Sequence, residues 1–284
     1  MARVGIVTDS TAYLDEEYVR THDIKVVPLK VILDGVSYRE GVDITHQEFY
    51  RRLRNPGVFP TTSQPSVGEF LEAYREMAER YEAIISIHIS GGISGTVESA
   101  RSAASEIPDF PIRVVDSLTT SILLRRIIDG LVEAREKGAD LDEMVRLAES
   151  AARSGNLMFV VDTLEYLHRG GRIGGAQALL GSMLRIKPIL FLHDTIDALD
   201  KVRGERKALD RLVEILLEKV AGREVRLGVT HVQAEDRMRE LLEKVSQATG
   251  VPASEIPHNE TGPVIGAHVG PGTVGVGFYA VDRA

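Results

Sequence analysis

The run Ala83-Ile84-Ile85-Ser86-Ile87-His88-Ile89 passes directly into Ser90-Gly91-Gly92-Ile93-Ser94-Gly95-Thr96 and then into a helix-like stretch, Val97 to Ala104. A short apolar run bounded by turn residues reads as a buried strand, and its exit through glycines and hydroxyls into a helical period is a strand-to-helix connection. The same alternation surrounds it. Arg3 to Val7, Lys25 to Leu33 and Ile112 to Val115 are strand-like, with amphipathic stretches between them. The expected fold class is therefore α/β, with a mainly parallel sheet covered by helices in the first half. Asp34-Gly35 between apolar flanks predicts a hairpin. Thr45 with Glu48, and Ser66 with Glu69, predict helices opened by capping boxes.

A long helical pattern follows Ser121 to Lys137, stops at Gly138, and resumes from Leu141 to Arg153. Ser154-Gly155-Asn156 breaks the chain, and a domain boundary is placed there, giving α/β domains over 1–154 and 155–284. The second half reads as strand Leu157 to Val161, a short helix to His168, a glycine turn at 170–175 and a helix from Ala176 to Arg185. Strands near Ile186 to Leu192 and Ala198 to Val202, a helix from Glu205 to Val220, strand Val225 to His231 and a helix from Ala234 to Ala248 follow. A glycine-studded β tail from Val264 to Tyr279 completes an expected mixed sheet.

Composition narrows the function. The 284 residues carry 34 basic and 42 acidic side chains, a net charge of −8, with no basic run interleaved with aromatics, so nucleic acid is not an expected partner. Absence of cysteine removes disulfides, thiol nucleophiles and thiolate metal sites. No apolar stretch reaches the roughly 18 to 20 residues of a membrane span, and a strand-like segment begins at Arg3 without a leader, so a cytoplasmic protein is expected. The histidines show no paired metal-ligand spacing, and neither metal nor cofactor is expected.

The chemistry lies in two hydroxyl-rich segments. Pro60-Thr61-Thr62-Ser63-Gln64-Pro65-Ser66 precedes a capped helix, and Ser90 to Thr96 precedes another. Hydroxyls beside helix N-termini suit a small anion, and two such loops can share one carboxylate or phosphate. His268 is flanked by Ala267, Gly266 and Gly270, too small to fill a core, and serves equally as ligand contact or as a structural histidine. Gly270-Pro271-Gly272-Thr273-Val274-Gly275 spells a dinucleotide fingerprint but lacks the following helix and acidic residue, and is read as a tight turn. Ser94 sits where a hydrolase nucleophile would, so a triad of Ser94, His268 and Asp9 is an alternative, although Thr96 replaces the final glycine of that motif. Thr8-Asp9-Ser10-Thr11 reads either as a catalytic or magnesium carboxylate or as an Asx turn. Arg203 lies in the basic cluster Lys201 to Lys207, where Gly204 lets a partner approach, and the cluster is expected on the surface near the mouth of the anion site.

Together, Thr8-Asp9-Ser10-Thr11, Thr62-Ser63-Gln64-Pro65-Ser66, Ser94-Gly95-Thr96, Gly170-Gly171-Arg172-Ile173 and His268-Val269-Gly270-Pro271-Gly272-Thr273 resemble the DegV family of bacterial fatty-acid-binding proteins, in one order along the whole chain. The resemblance implies a non-enzymatic carrier of a long-chain, palmitate-like fatty acid, with Thr62 and Ser94 on the carboxylate and Ser63 and His268 close by. It implies presentation of the acid to a fatty-acid kinase for lipid metabolism, with Arg203 at a position linked to that partner. Leu157, Phe159, Leu164, Leu167, Met183, Leu184 and Ile186 are candidate tunnel walls, though each alone reads as ordinary core. The competing class is an enzyme, either a serine hydrolase at Ser94 or a kinase-like protein related to dihydroxyacetone kinases, against which stands the lack of a carboxylate cluster and phosphate loop.

Overall fold

The computed structural model describes residues 3–55, 57–180 and 186–281. In chain order these form strands β1 (Val4–Asp9), β2 (Ile24–Val27), β3 (Lys30–Leu33), β4 (Val36–Arg39), β5 (Thr61–Ser63), β6 (Ala83–His88), β7 (Ile112–Asp116), β8 (Asn156–Val160), β9 (Ile186–His193), β10 (Thr195–Arg203), β11 (Val225–His231), β12 (His258–Glu260) and β13 (Val274–Ala280). The order β2-β1-β6-β7 makes a parallel sheet, as the alternation of the first half predicts. β10-β9-β8-β13-β11-β12 makes a mixed sheet, antiparallel except between β11 and β12. A small antiparallel sheet, β4-β3-β5, stands apart.

β1 and β6 are buried along their whole length, because helices cover both faces of the parallel sheet. Helices Val67–Ala78 and Thr96–Ser105 pack on one face. On the other lie Ser121–Glu136 and Leu141–Ser154, which also contact β11 and β13 of the mixed sheet. Ser121–Glu136 is therefore enclosed from two sides, and residues such as Ile122, Leu123, Ile127, Ile128 and Leu131 are buried around more than one stripe. Helices Glu205–Val220 and Glu235–Thr249 close the outer face of the mixed sheet.

Three expectations need correction. Lys25 to Leu33 is two strands in two sheets, parted at Pro28-Leu29, where proline removes a ladder donor. The tail from Val264 begins as a helix, Pro263–Val269, with proline at its start and Gly270 (φ +78°) just past its end, and only Val274 onward is strand. From Ala176 the chain forms a 3-10 helix, Gly174–Leu179, and the rest of the helix expected there lies outside the described residues, as do Met183 and Leu184. The Asp34-Gly35 hairpin forms with both residues at positive φ, and the Ser66–Glu69 capping box has both bonds.

The short helix Pro263–Val269 is anchored by a buried carboxylate. Glu40, 3% exposed, accepts from Val264 N (2.7 Å) and Ser10 Oγ (2.6 Å). Burial pushes its pKa from 4.5 up to about 7, against the lowering effect of those bonds. Folded protein thus holds this proton more tightly than unfolded chain, so Glu40's contribution is full below about pH 4.5 and is lost as pH rises through about 7. Urea unfolding of wild type and Glu40→Gln should show the wild type losing up to roughly 3 kcal/mol relative to the variant across that interval. A difference that does not change with pH would contradict this.

Candidate functional site

The parallel sheet ends where β1 and β6 deliver their loops. Asp9, fully buried, accepts from Thr11 N (3.0 Å), Thr11 Oγ1 (2.6 Å) and Ile89 N (2.8 Å), and lies 3.2 Å from His88 Nδ1. It is the Asx-turn reading of Thr8 to Thr11, and it ties β1 to the exit of β6. The Ser90–Thr96 segment leaves from that point. Ser90 Oγ donates to Asp194 O (2.6 Å) in the β9–β10 turn, so this hydroxyl joins the two halves of the chain.

Thr62 arrives from the other side. The hydroxyl segment is not a loop but an edge strand, β5, in which Thr62 pairs with Val31. The alternation of a strand turns Thr62 to the opposite face from Thr61 and Ser63, and only Thr62 of the three is half-buried. Gln64 then lies on Gly95, where a Cβ would collide with its side-chain amide, so glycine at 95 permits the two hydroxyl segments to meet. Thr62 Oγ1 is 2.8 Å from His268 Nε2.

His268 stands on the helix Pro263–Val269, not in a loop. Its Nδ1 is buried without a partner among the described residues and lies against Gly170, where any Cβ would strike it. Burial, and to a lesser degree the Arg172 guanidinium, together lower the His268 pKa from 6.5 to about 4, so the ring is neutral at pH 7. Arg172 donates to Ile93 O (3.2 Å) and Gly170 O (2.8 Å) and pairs with no carboxylate among the described residues.

These groups open on one cavity, whose empty space is about 860 Å³ counting its mouth. Burial orders the lining. Ser63, Gln64 and Arg172 are exposed, and Thr62, Ser94, Ile93 and His268 are half-buried, which makes this end the mouth. Inside, Leu157, Phe159, Leu192, Ile196, Val264 and Val269 are buried, with Ile89 and Leu29 from the first half. The cavity therefore has walls from both halves of the chain. Leu164 and Leu167 are core, and Ile186 does not line it.

Thus Thr62, Ser63, Ser94 and His268 meet at one mouth, while two expected relations are absent. Ser94 Oγ is 2.9 Å from Thr96 Oγ1, His268 faces Thr62, and Asp9 is bonded to other groups, so Ser94, His268 and Asp9 do not form a triad. Ser63 Oγ donates to Gln64 O (3.2 Å), which leaves it the weaker anion donor. Arg203 is exposed at the end of β10, seven residues and roughly 23 Å of strand from Ile196, and does not line the cavity. Arg172 was legible in the Gly170-to-Ile173 motif, but nothing in its spacing reveals that it faces the mouth.

The family model described as "Uncharacterised protein, DegV family" matches residues 3–281. The chain belongs to the DegV family. A DegV domain-containing protein of Streptomyces coelicolor is 42% identical over 278 residues, 96% of this chain and 97% of that one. A DegV family protein from Thermus thermophilus, whose structure is described by its fatty-acid binding, superposes with a TM-score of 0.92 at 39% identity, covering 98% of this chain and all of that one. A stearic acid-binding protein from Eubacterium ventriosum superposes with a TM-score of 0.88 at 28% identity, over 99% and 98% of the two chains.

Ligand-free protein followed by NMR against pH should show the His268 ring titrating near 4 rather than near 6.5. Arg172→Gln should move that midpoint upward by removing a neighbouring positive charge. An ordinary midpoint in the wild type would overturn the electrostatic picture of the mouth.

Proposed function

We propose that this DegV protein is a carrier that binds one long-chain, palmitate-like fatty acid in the cavity, carboxylate at Thr62 and Ser94 and tail along Leu157, Phe159 and Leu192. The observation that carries the reading is a single cavity with hydroxyls and a neutral imidazole at its exposed end and aliphatic walls within. The DegV relatives with described fatty-acid binding support it. Thr62, Ser94, Ser63 and His268 supply hydrogen bonds without charge, and Arg172 at the mouth supplies the counter-charge. With Nδ1 bare, the His268 proton belongs on Nε2 and is donated to Thr62, whose own hydroxyl hydrogen is then directed at the carboxylate. A tail of ~14 methylenes contributes on the order of 11 kcal/mol before ordering costs, so tail burial sets affinity and the mouth sets orientation.

The same reading makes the protein a cytoplasmic presenter of the acid to a fatty-acid kinase, needing no cofactor and performing no catalysis itself. The unassembled Ser94, His268 and Asp9 argue for carrier over hydrolase. The division after Ser154 belongs to the proposal as well: the parallel sheet comes from residues before it and the mixed sheet from residues after it.

Organic extraction and mass spectrometry of freshly purified protein should yield about one long-chain fatty acid per chain. The double variant Thr62→Ala, Ser94→Ala should bind added palmitate roughly 10² to 10⁴ times more weakly, since each lost bond to a charged group is worth about 1.5 to 3 kcal/mol. Ester turnover abolished by Ser94→Ala alone would favour the hydrolase instead.

Arg203 is assigned to the hand-off. Because it lies away from the cavity, Arg203→Ala should hold palmitate within about tenfold of wild type, while phosphorylation of the bound acid by the cognate kinase falls by a larger factor. Equal losses in both assays would make Arg203 a carboxylate ligand; no loss in either would return it to solvated charge.

A further inference from the structure

The cavity has a second polar surface, buried and remote in character from the mouth. Thr120 is the N-cap residue of the 16-residue helix Ser121–Glu136, yet its side chain makes no capping bond. The residue is 3% exposed and lines the cavity, and its Oγ1 is buried without any partner among the described residues. An unpaired buried hydroxyl is costly, so its retention calls for an explanation. Ser121 beside it adopts φ +52°, a conformation uncommon for a residue with a side chain. That turn brings Ser121 Oγ to 3.1 Å from Thr261 Oγ1 and 3.2 Å from Thr230 Oγ1.

The other hydroxyls of this wall, on Ser121, Thr230 and Thr261, are already engaged with one another, and Thr119, whose Oγ1 is also without a partner among the described residues, does not line the cavity. Thr230 Oγ1 donates to Asn259 Oδ1 (2.7 Å) and is 2.7 Å from Thr261 Oγ1. His231, also lining the cavity, accepts from Ala234 N at Nδ1 (3.1 Å), which leaves its proton on Nε2 as a donor. Burial holds the His231 pKa down, keeping the ring neutral. The unspent groups on this wall are thus the Thr120 hydroxyl, at the positive end of helix Ser121–Glu136, and the imidazole N–H of His231, at the end of β11; His231 also borders Glu235 and Glu260 outside the cavity, while the charged side chain in the described cavity lining is Arg172, at the mouth.

We infer that this wall, centred on Thr120 and His231, binds a neutral oxygen carried on the acyl chain away from its carboxylate, so that the site takes hydroxy- or oxo-fatty acids in preference to unsubstituted ones. The inference rests on the fatty-acid reading above. Dipoles without a counter-charge suit a hydroxyl or ketone and do not suit a second carboxylate. An unsubstituted methylene chain would leave Thr120 unpaired, whereas an oxygen at the matching carbon satisfies it.

The test is competition binding of stearic acid against a panel of octadecanoic acids hydroxylated or oxidised to the ketone at successive carbons. One position in the panel should bind about tenfold more tightly than stearic acid. In Thr120→Val that ratio should fall to about one, and in Thr120→Ser, which keeps the hydroxyl, it should persist. Preference for stearic acid over every member of the panel would overturn the inference, as would a ratio unchanged in Thr120→Val. Binding of stearic acid alone would leave the carrier reading standing while removing this one; failure of every acid to bind would remove both.

Discussion

The mouth of the cavity depends on the buried carboxylate of Asp9. A charge at 0% exposure is tolerated only when donors surround it, and here two amides, one hydroxyl and a histidine do so. Those donors come from the turn after β1 and from the end of β6, so satisfying one charge aligns two strand ends. The Ser90–Thr96 segment departs from that fixed point, and Gln64 closes over Gly95 from the other side. What the sequence offers as a catalytic acid is in structure the fastening of the loop that holds Ser94.

The cavity itself follows from layering. Helix Ser121–Glu136 is shared by two sheets, and its first turn ends short of filling the space between them. The mixed sheet supplies Leu157, Phe159 and Leu192 as one wall, and the helix Pro263–Val269 supplies another. Polar groups survive inside because Ser121, Thr230 and Thr261 satisfy one another where β11 and the helix start meet, while Thr120, at the helix start itself, is left over.

Much of this was legible in the chain. Apolar runs between turn residues marked β1, β6 and β7, the two capping signals marked helix starts, and Asp34-Gly35 marked its hairpin, because each is a local preference that the fold does not oppose. β5 was not legible, since Thr61-Thr62-Ser63 has no apolar alternation and becomes a strand only by pairing with β3. The helix bearing His268 resembles a β tail in sequence because seven residues are too few to display a helical period, although Pro263 and Gly270 bracket it. The mouth residues Thr62 and Ser94 could be found as hydroxyls near helix starts. Arg172 and Thr120 could not be ranked, because what distinguishes them, a guanidinium at the mouth with no carboxylate beside it and a hydroxyl with no hydrogen-bond partner among the described residues, exists only in three dimensions.

The partners that build the mouth are distant along the chain. Thr62 and His268 are 206 residues apart, Tyr50 and Thr261 are 211, and Glu40 and Val264 are 224. Loop closure on that scale cannot precede synthesis of the last part of the chain, and contacts of such separation form slowly. During translation the parallel sheet can assemble from the first half while Thr62 and Ser94 still face solvent with no imidazole opposite them. The site is therefore a late event in folding, and any ligand held there recognises only the finished chain. Such a ligand stabilises the native state alone by mass action, so occupancy of the cavity doubles as a report that the two halves have closed.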